Sequence, residues 1–318
     1  MQRRVYPAKW RRKAAATHQP KGASMILLSV VTAEGPRLAA KIPAGILIFS
    51  QAHASWEETT LPLTLQAALT EEGGVERVRA YLKALLDDPQ VGKLAKPEDE
   101  VRVGMPFLPG NVFCVGRNYK AHIQEGGNPL PERPILFAKW TSAIIGPGDP
   151  IVLPPDTSEV DYEAELAVVM ERRCRGVSAA EALDYVAGYT CMNDVSARDF
   201  QESDGQWARG KSQDTFGPMG PYLVTRDQVP DPQALPIRCS VNGRVRQNSN
   251  TQMMIFSARE IIAFISRGIT LQAGDVISTG TPHGVGAAQK PPAFLRPGDE
   301  VVVEIDGIGR LSNPVKAG

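Results

Sequence analysis

The sequence predicts an α+β protein built on a large mixed or rolled β-sheet. Three observations point there. The chain carries 29 Gly and 26 Pro but only 6% aromatic residues, a composition of many turns and short elements. Short apolar, β-branched runs bounded by turn residues recur along its length. Helical periodicity is confined to a few segments, two of them opened by a Ser-x-x-Glu capping box. At 318 residues there is room for one large domain or two modest ones.

Composition also excludes classes of function. The formal net charge of zero argues against a broad electrostatic surface for nucleic acid. No apolar run reaches the roughly 18–20 residues of a membrane-crossing helix. Cys114, Cys174, Cys191 and Cys239 show no metal-ligand spacing and read as reduced, packed thiols of a cytoplasmic protein.

Residues 1–24 form a basic tail, with Arg3, Arg4, Lys9, Arg11, Arg12, Lys13 and Lys21 and no acid before Gly22. A transit peptide has this bias. The expectation here is a disordered tail or an upstream start, because Met25 opens a clean strand. Residues 25–100 read as a small α+β domain, with strands at 25–31, 37–41 and 45–49. A helix at 75–87 aligns Val75, Val78, Leu82 and Leu85 and stops at Pro89. Lys96–Glu100 and Pro106–Gly110 are linker by composition. Residues 108–318 form the main domain.

In that domain Asn111–Gly116 is a buried strand entering a polar turn. Ser178-Ala-Ala-Glu181 predicts a helix to about Val186, and Ser257-Ala-Arg-Glu260 a helix to Ser266. Asn242-Gly243 predicts a type I′ hairpin. Asp275–Thr279 and Glu300–Ile305 are further strands, with a turn at Asp306-Gly307.

Three carboxylates carry the chemistry. Glu163 and Glu165 alternate on one strand face with Ala167 and Val169. Two like charges there are costly unless a cation lies between them, and Mg²⁺ or Mn²⁺ prefers such oxygen ligands; solvated acids on a half-exposed strand are the alternative. A strand–helix–strand connection returns Asp194 beside them. Asp194 then opens a helix on which Arg198 and Gln201 share its face. Upstream, His122 and Glu125 are i, i+3 neighbours on a short helix, an arrangement suited to a general base. Lys211, in a Gly/Pro-rich loop, can neutralise an enolate. Thr281 lies in the glycine-rich run 279–286, where His283 reads as a loop residue without ligand spacing.

In their order along the chain these strings resemble the fumarylacetoacetate hydrolase family. The matching segments are Val115–Tyr119 with His122 and Glu125, Asp161–Leu166, Asn193–Asp199, Gly210–Ser212, Met254–Ser257 and Thr279–Pro282, within about residues 108–315. The resemblance implies a rolled mixed sheet with peripheral helices, a homodimer, and Mg²⁺ or Mn²⁺ held by Glu163, Glu165 and Asp194. It implies that His122 and Glu125 form a lid dyad and that Lys211 is catalytic. Arg117, Tyr119, Arg198, Gln201 and Thr281 are assigned to substrate binding. Where the namesake enzyme has a further aspartate ligand this chain has Asn118, which implies three protein carboxylates, as in the shorter bacterial and mitochondrial members.

A 2-oxo acid held there yields an enolate stabilised by metal and lysine. The leading expectation is C–C bond cleavage of a small 2-oxo or 1,3-diketo acid, by acylpyruvate-type hydrolysis or oxaloacetate-type decarboxylation. The alternatives are an isomerase or decarboxylase of dienoic or oxo-diacids in aromatic catabolism, and a non-catalytic metabolite-binding relative.

Overall fold

The computed structural model describes residues 25–52 and 61–318; the expected basic tail lies outside them. The described residues open with an antiparallel meander, β1 (Ile26–Thr32), β2 (Gly35–Ile42) and β3 (Gly45–Ile48). Helices α1 (Phe49–Ala52), α2 (Leu65–Thr70) and α3 (Gly74–Leu86) follow. The α3 stripe expected from periodicity is present, with Val75, Val78, Tyr81 and Leu82 buried and Leu85 partly so.

The main segment begins with β4 (Val112–Gly116), α4 (Lys120–Glu125) and β5 (Ile135–Lys139). Next come β6 (Ile144–Ile145), β7 (Ile151–Leu153), β8 (Val160–Asp161), β9 (Ala164–Met170) and β10 (Val186–Asn193). After β11 (Ser196–Ala197) lie α5 (Arg198–Ser203), α6 (Ala208–Lys211) and β12 (Gly217–Thr225). The chain closes with β13 (Pro236–Val241), β14 (Arg244–Asn250), α7 (Ala258–Gly268), β15 (Val276–Ser278), β16 (Glu300–Ile305) and β17 (Gly309–Ala317). Among the described residues no helix is long and apolar enough to cross a membrane.

The architecture is α+β, as the sequence predicts. One mixed sheet runs β3-β2-β1-β12-β10-β9-β15-β4-β5 with β6 beside β12; a second runs β14-β13-β16-β17-β7. β9 is buried on both faces, so the two sides of its pleat enter different cores. Leu166, Val168 and Met170 belong to the core that includes Ile237 and Val303 of the five-stranded sheet. Ala167 and Val169 belong to a second core with Leu65, Val78 and Leu82 of α2 and α3. The N-terminal strands therefore extend the main sheet, through Ile26 opposite Val224 and Leu27 opposite Leu223, and their helices cover its face.

Two expected helices are corrected. Ser178 makes its bond to Glu181 (2.6 Å), yet only a 3₁₀ turn follows, at Ala182–Tyr185. β9 and β10 are antiparallel neighbours, and such a pair needs no crossover helix. Nor does a helix begin at Asp194. Asp194 N–H donates to Glu163 O (2.9 Å) and Val195 N–H to Phe216 O (3.1 Å), which commits this backbone to strand pairing until α5 opens at Arg198. The second capping box is complete at Ser257 and Glu260 and opens α7. Asn242 (φ 52°) and Gly243 (φ 73°) form the left-handed pair of a type I′ turn between β13 and β14.

Candidate active site

The strand registers bring the C-terminal ends of β4, β15 and β10 and the N-terminal end of β9 to one edge of the main sheet. Glu165 lies on β9, Glu163 just before it, and Asp194 just after β10. Ligand oxygens of the three lie within 4.8 Å of one another. Their residues are 4%, 2% and 0% exposed for Glu163, Glu165 and Asp194, so they are not solvated surface acids.

Cations meet this cluster unevenly. Lys211 Nζ, at the end of α6, donates to Glu163 (2.7 Å) and Asp194 (2.9 Å). Arg198 pairs with Glu163 (2.7 Å) and Asp161 (2.9 Å). Lys139, on β5, donates to Asp194 (2.6 Å). Among the described residues Glu165 receives only neutral donors, the Ser278 hydroxyl and Gly280 N–H (2.9 Å).

Acidities follow from this arrangement. Burial opposes the charge on Glu163, but Lys211, Arg198 and His122 outweigh it and hold the carboxyl at about 2. Burial, then the charges of Asp194 and Glu163, push Glu165 well above the usual carboxylate range. Burial opposes the Lys211 ammonium, yet Asp194 and Glu163 raise its pKa. Glu165 is thus the cluster carboxylate without a cationic partner among the described residues. An all-oxygen donor set with one uncompensated charge fits a hard divalent cation such as Mg²⁺ or Mn²⁺.

α4 carries the expected dyad. His122 Nδ1 and Glu125 Oε1 are 2.8 Å apart, while Glu125 Oε2 accepts from Gly284 N–H (2.9 Å). Glu125 therefore fixes the imidazole and docks α4 onto the 284–288 loop. With Nδ1–H donated to a carboxylate, a neutral imidazole presents Nε2 as a base.

A cavity of about 570 Å³ opens over the cluster, lined by Arg117, His122, Glu125, Arg198, Gln201, Lys211 and Thr281 together with the three carboxylates. Gln201 accepts from Arg198 (3.1 Å). The Thr281 hydroxyl is already committed, donating to Ala164 O (3.0 Å) and accepting from Gln247 (2.8 Å). Tyr119 departs from the expected set. It is 1% exposed, lies outside the cavity lining, and its hydroxyl has no hydrogen-bond partner among the described residues; burial raises its pKa. Asn118 does not join the carboxylates either. Its side chain donates to Thr279 O and Phe256 O and accepts from Phe256 N–H, bracing the loop after β4. His283 is an exposed loop residue.

Four participants escape a reading of the sequence. Lys139 ends an otherwise apolar strand and gives no spacing signal. Asp161 is legible in hindsight, since it shares the alternation of Glu163 and Glu165; it accepts from Arg198, Gly286 N–H and Ala287 N–H. Phe137 and Trp207 line the cavity and meet edge to face at 5.3 Å.

The family described as Fumarylacetoacetate (FAA) hydrolase C-terminal matches residues 111–316. A mitochondrial oxaloacetate tautomerase of Bos taurus is 47% identical over 261 residues, 81% of each chain. The solved fumarylacetoacetate hydrolase of psychrophilic Exiguobacterium antarcticum is 37% identical with a TM-score of 0.77, over 93% of this chain and 100% of that one. A 5-carboxymethyl-2-hydroxymuconate delta-isomerase from Mycobacterium smegmatis is 35% identical with a TM-score of 0.72, over 92% and 100%.

Proposed function

The chain belongs to the fumarylacetoacetate hydrolase family, and from that membership we propose that it acts on small 2-oxo diacids of the oxaloacetate type by keto–enol tautomerisation. The observation that carries this reading is the His122–Glu125 dyad, 2.8 Å apart, lining the same cavity as Lys211 and the buried carboxylates. The identity to an oxaloacetate tautomerase supports the choice of acid.

The chemistry assigns each residue a task. His122 Nε2 moves a proton to or from the carbon beside the 2-oxo group, with Glu125 holding the imidazole in one tautomer. Glu163, Glu165 and Asp194 would hold Mg²⁺ or Mn²⁺, which supplies positive charge against the enolate when bound. Lys211 adds a second buried positive charge beside the developing oxyanion. Arg198 and Gln201 orient the substrate carboxylate, and Asp161 fixes Arg198 from behind. A cytoplasmic setting and a homodimer belong to the same proposal.

C–C bond cleavage is the second reading. The same dyad can hold and activate water, and a solved relative bears the name fumarylacetoacetate hydrolase. One assay separates the two. Loss of the ultraviolet enol band of oxaloacetate, faster than in buffer and without pyruvate, supports tautomerisation. Pyruvate formed in step with oxaloacetate loss favours cleavage, and no acceleration of either process rejects oxaloacetate as the substrate.

A further inference from the structure

Resting on the 2-oxo-acid reading of the cavity, we propose that Arg117 is a second anion pole, which selects acids with a carboxylate at the far end over those ending in a methyl group. Among the described residues three cationic side chains line the cavity, and two already have carboxylate partners within the protein. Arg198 is paired with Asp161 and Glu163, and Lys211 with Glu163 and Asp194. Arg117 is half-buried and makes no ion pair or hydrogen bond through its guanidinium with any described residue. Glu202, also in the lining, is exposed and not paired with it.

Local structure holds this group at the cavity. Arg117 has φ 57°, a left-handed conformation that side chains other than Asn and Asp seldom adopt. Non-glycine residues in such regions persist where their surroundings over-determine them, and they concentrate at ligand clamps. The surroundings here are specific. A Cβ on Gly116 would lie 2.3 Å from the Trp207 ring, so the ring seats directly on the backbone that precedes Arg117. The Arg117 guanidinium lies 5.7 Å from the Trp207 ring centroid, and Asn118 is pinned to the 256 and 279 backbones on the other side. A planar guanidinium beside an aromatic wall, with no carboxylate of its own, matches a ligand carboxylate bidentately.

The test is titration calorimetry of the whole protein with Mg²⁺, using two unreactive 2-hydroxy acids of equal chain length, malate and 2-hydroxybutyrate. Wild type is expected to prefer malate by about 10- to 100-fold, the range of one charge-assisted fork. Arg117→Asn tolerates the left-handed backbone, removes the charge, and is expected to abolish that preference. Arg117→Lys, with charge but no fork, retains part of it, and Trp207→Leu weakens it; these two carry the test should Arg117→Asn not fold. A malate preference that survives in all the folded variants overturns the pole and leaves the proposed reaction intact. Binding of neither acid by the wild type overturns the 2-oxo-acid reading, and the pole with it.

Discussion

Lys139 Nζ lies 2.6 Å from Asp194 Oδ1, and neither side chain reaches solvent. The ammonium also donates to Val195 O (3.1 Å) and to the backbone carbonyl of Lys211, so a single buried charge ties β5 to two walls of the site. Removing one partner of a buried pair leaves the other uncompensated. Lys139→Met, similar in volume, is expected to cost about 3 kcal/mol in urea unfolding. An unchanged midpoint would show that Lys211 alone suffices for Asp194.

Glu165→Gln separates stability from metal binding. A glutamine oxygen can accept from Ser278 and Gly280 as the carboxylate does, with no charge to bury. In EDTA the variant is expected to melt at or above the wild-type temperature. Mg²⁺ should raise the Tm of wild type and leave Glu165→Gln where it was. A full Mg²⁺ response in the variant would remove Glu165 from the ligand set.

The metal-free protein is expected to be most stable in mild acid. Glu163 is held near 2 when folded, against about 4.3 for an unperturbed glutamate. Its contribution is therefore complete above pH 4.3 and is lost as pH falls towards 2. Glu165 has the opposite sign. Its raised carboxyl retains a proton that the unfolded chain releases above about 4.3, so stability falls as pH rises from there. Melting curves against pH in EDTA should show this optimum, and saturating Mg²⁺ should flatten the fall on its neutral side.

His122→Ala is expected to lower kcat by about 10²–10⁴-fold with little change in KM, as for loss of a general acid–base group. Glu125→Gln should be milder for the imidazole. It also alters the docking of α4 on Gly284, so KM is expected to rise along with the fall in kcat. A wild-type kcat in His122→Ala would assign proton transfer elsewhere.

What was legible in the sequence is what depends on short spacing. The alternation of Glu163 and Glu165, the i, i+3 dyad of His122 and Glu125, and the Asn242-Gly243 turn all follow from local geometry, and the structure contains each arrangement. Contacts between distant strands were not legible. Nothing near Lys139 signals that its ammonium ends beneath Asp194, 55 residues on. Tyr119 misleads for the same reason: its neighbour Arg117 lines the cavity, while its own ring turns into the core. At Ser178 the capping signal was sound, but antiparallel pairing of β9 with β10 left no need for the helix that it advertised.

The pairing of β1 with β12 has a consequence for dissection of the molecule. The linker at 96–110 looks like a place to cut, yet a fragment starting there would bare β12 at Leu223 and Val224, beyond the part that β6 still covers, and uncover Ala167 and Val169 on the sheet face. Unsatisfied strand edges beside apolar surface recruit other chains. An excised catalytic segment is therefore expected to self-associate through β12, and the two halves supplied separately to recombine along that same seam.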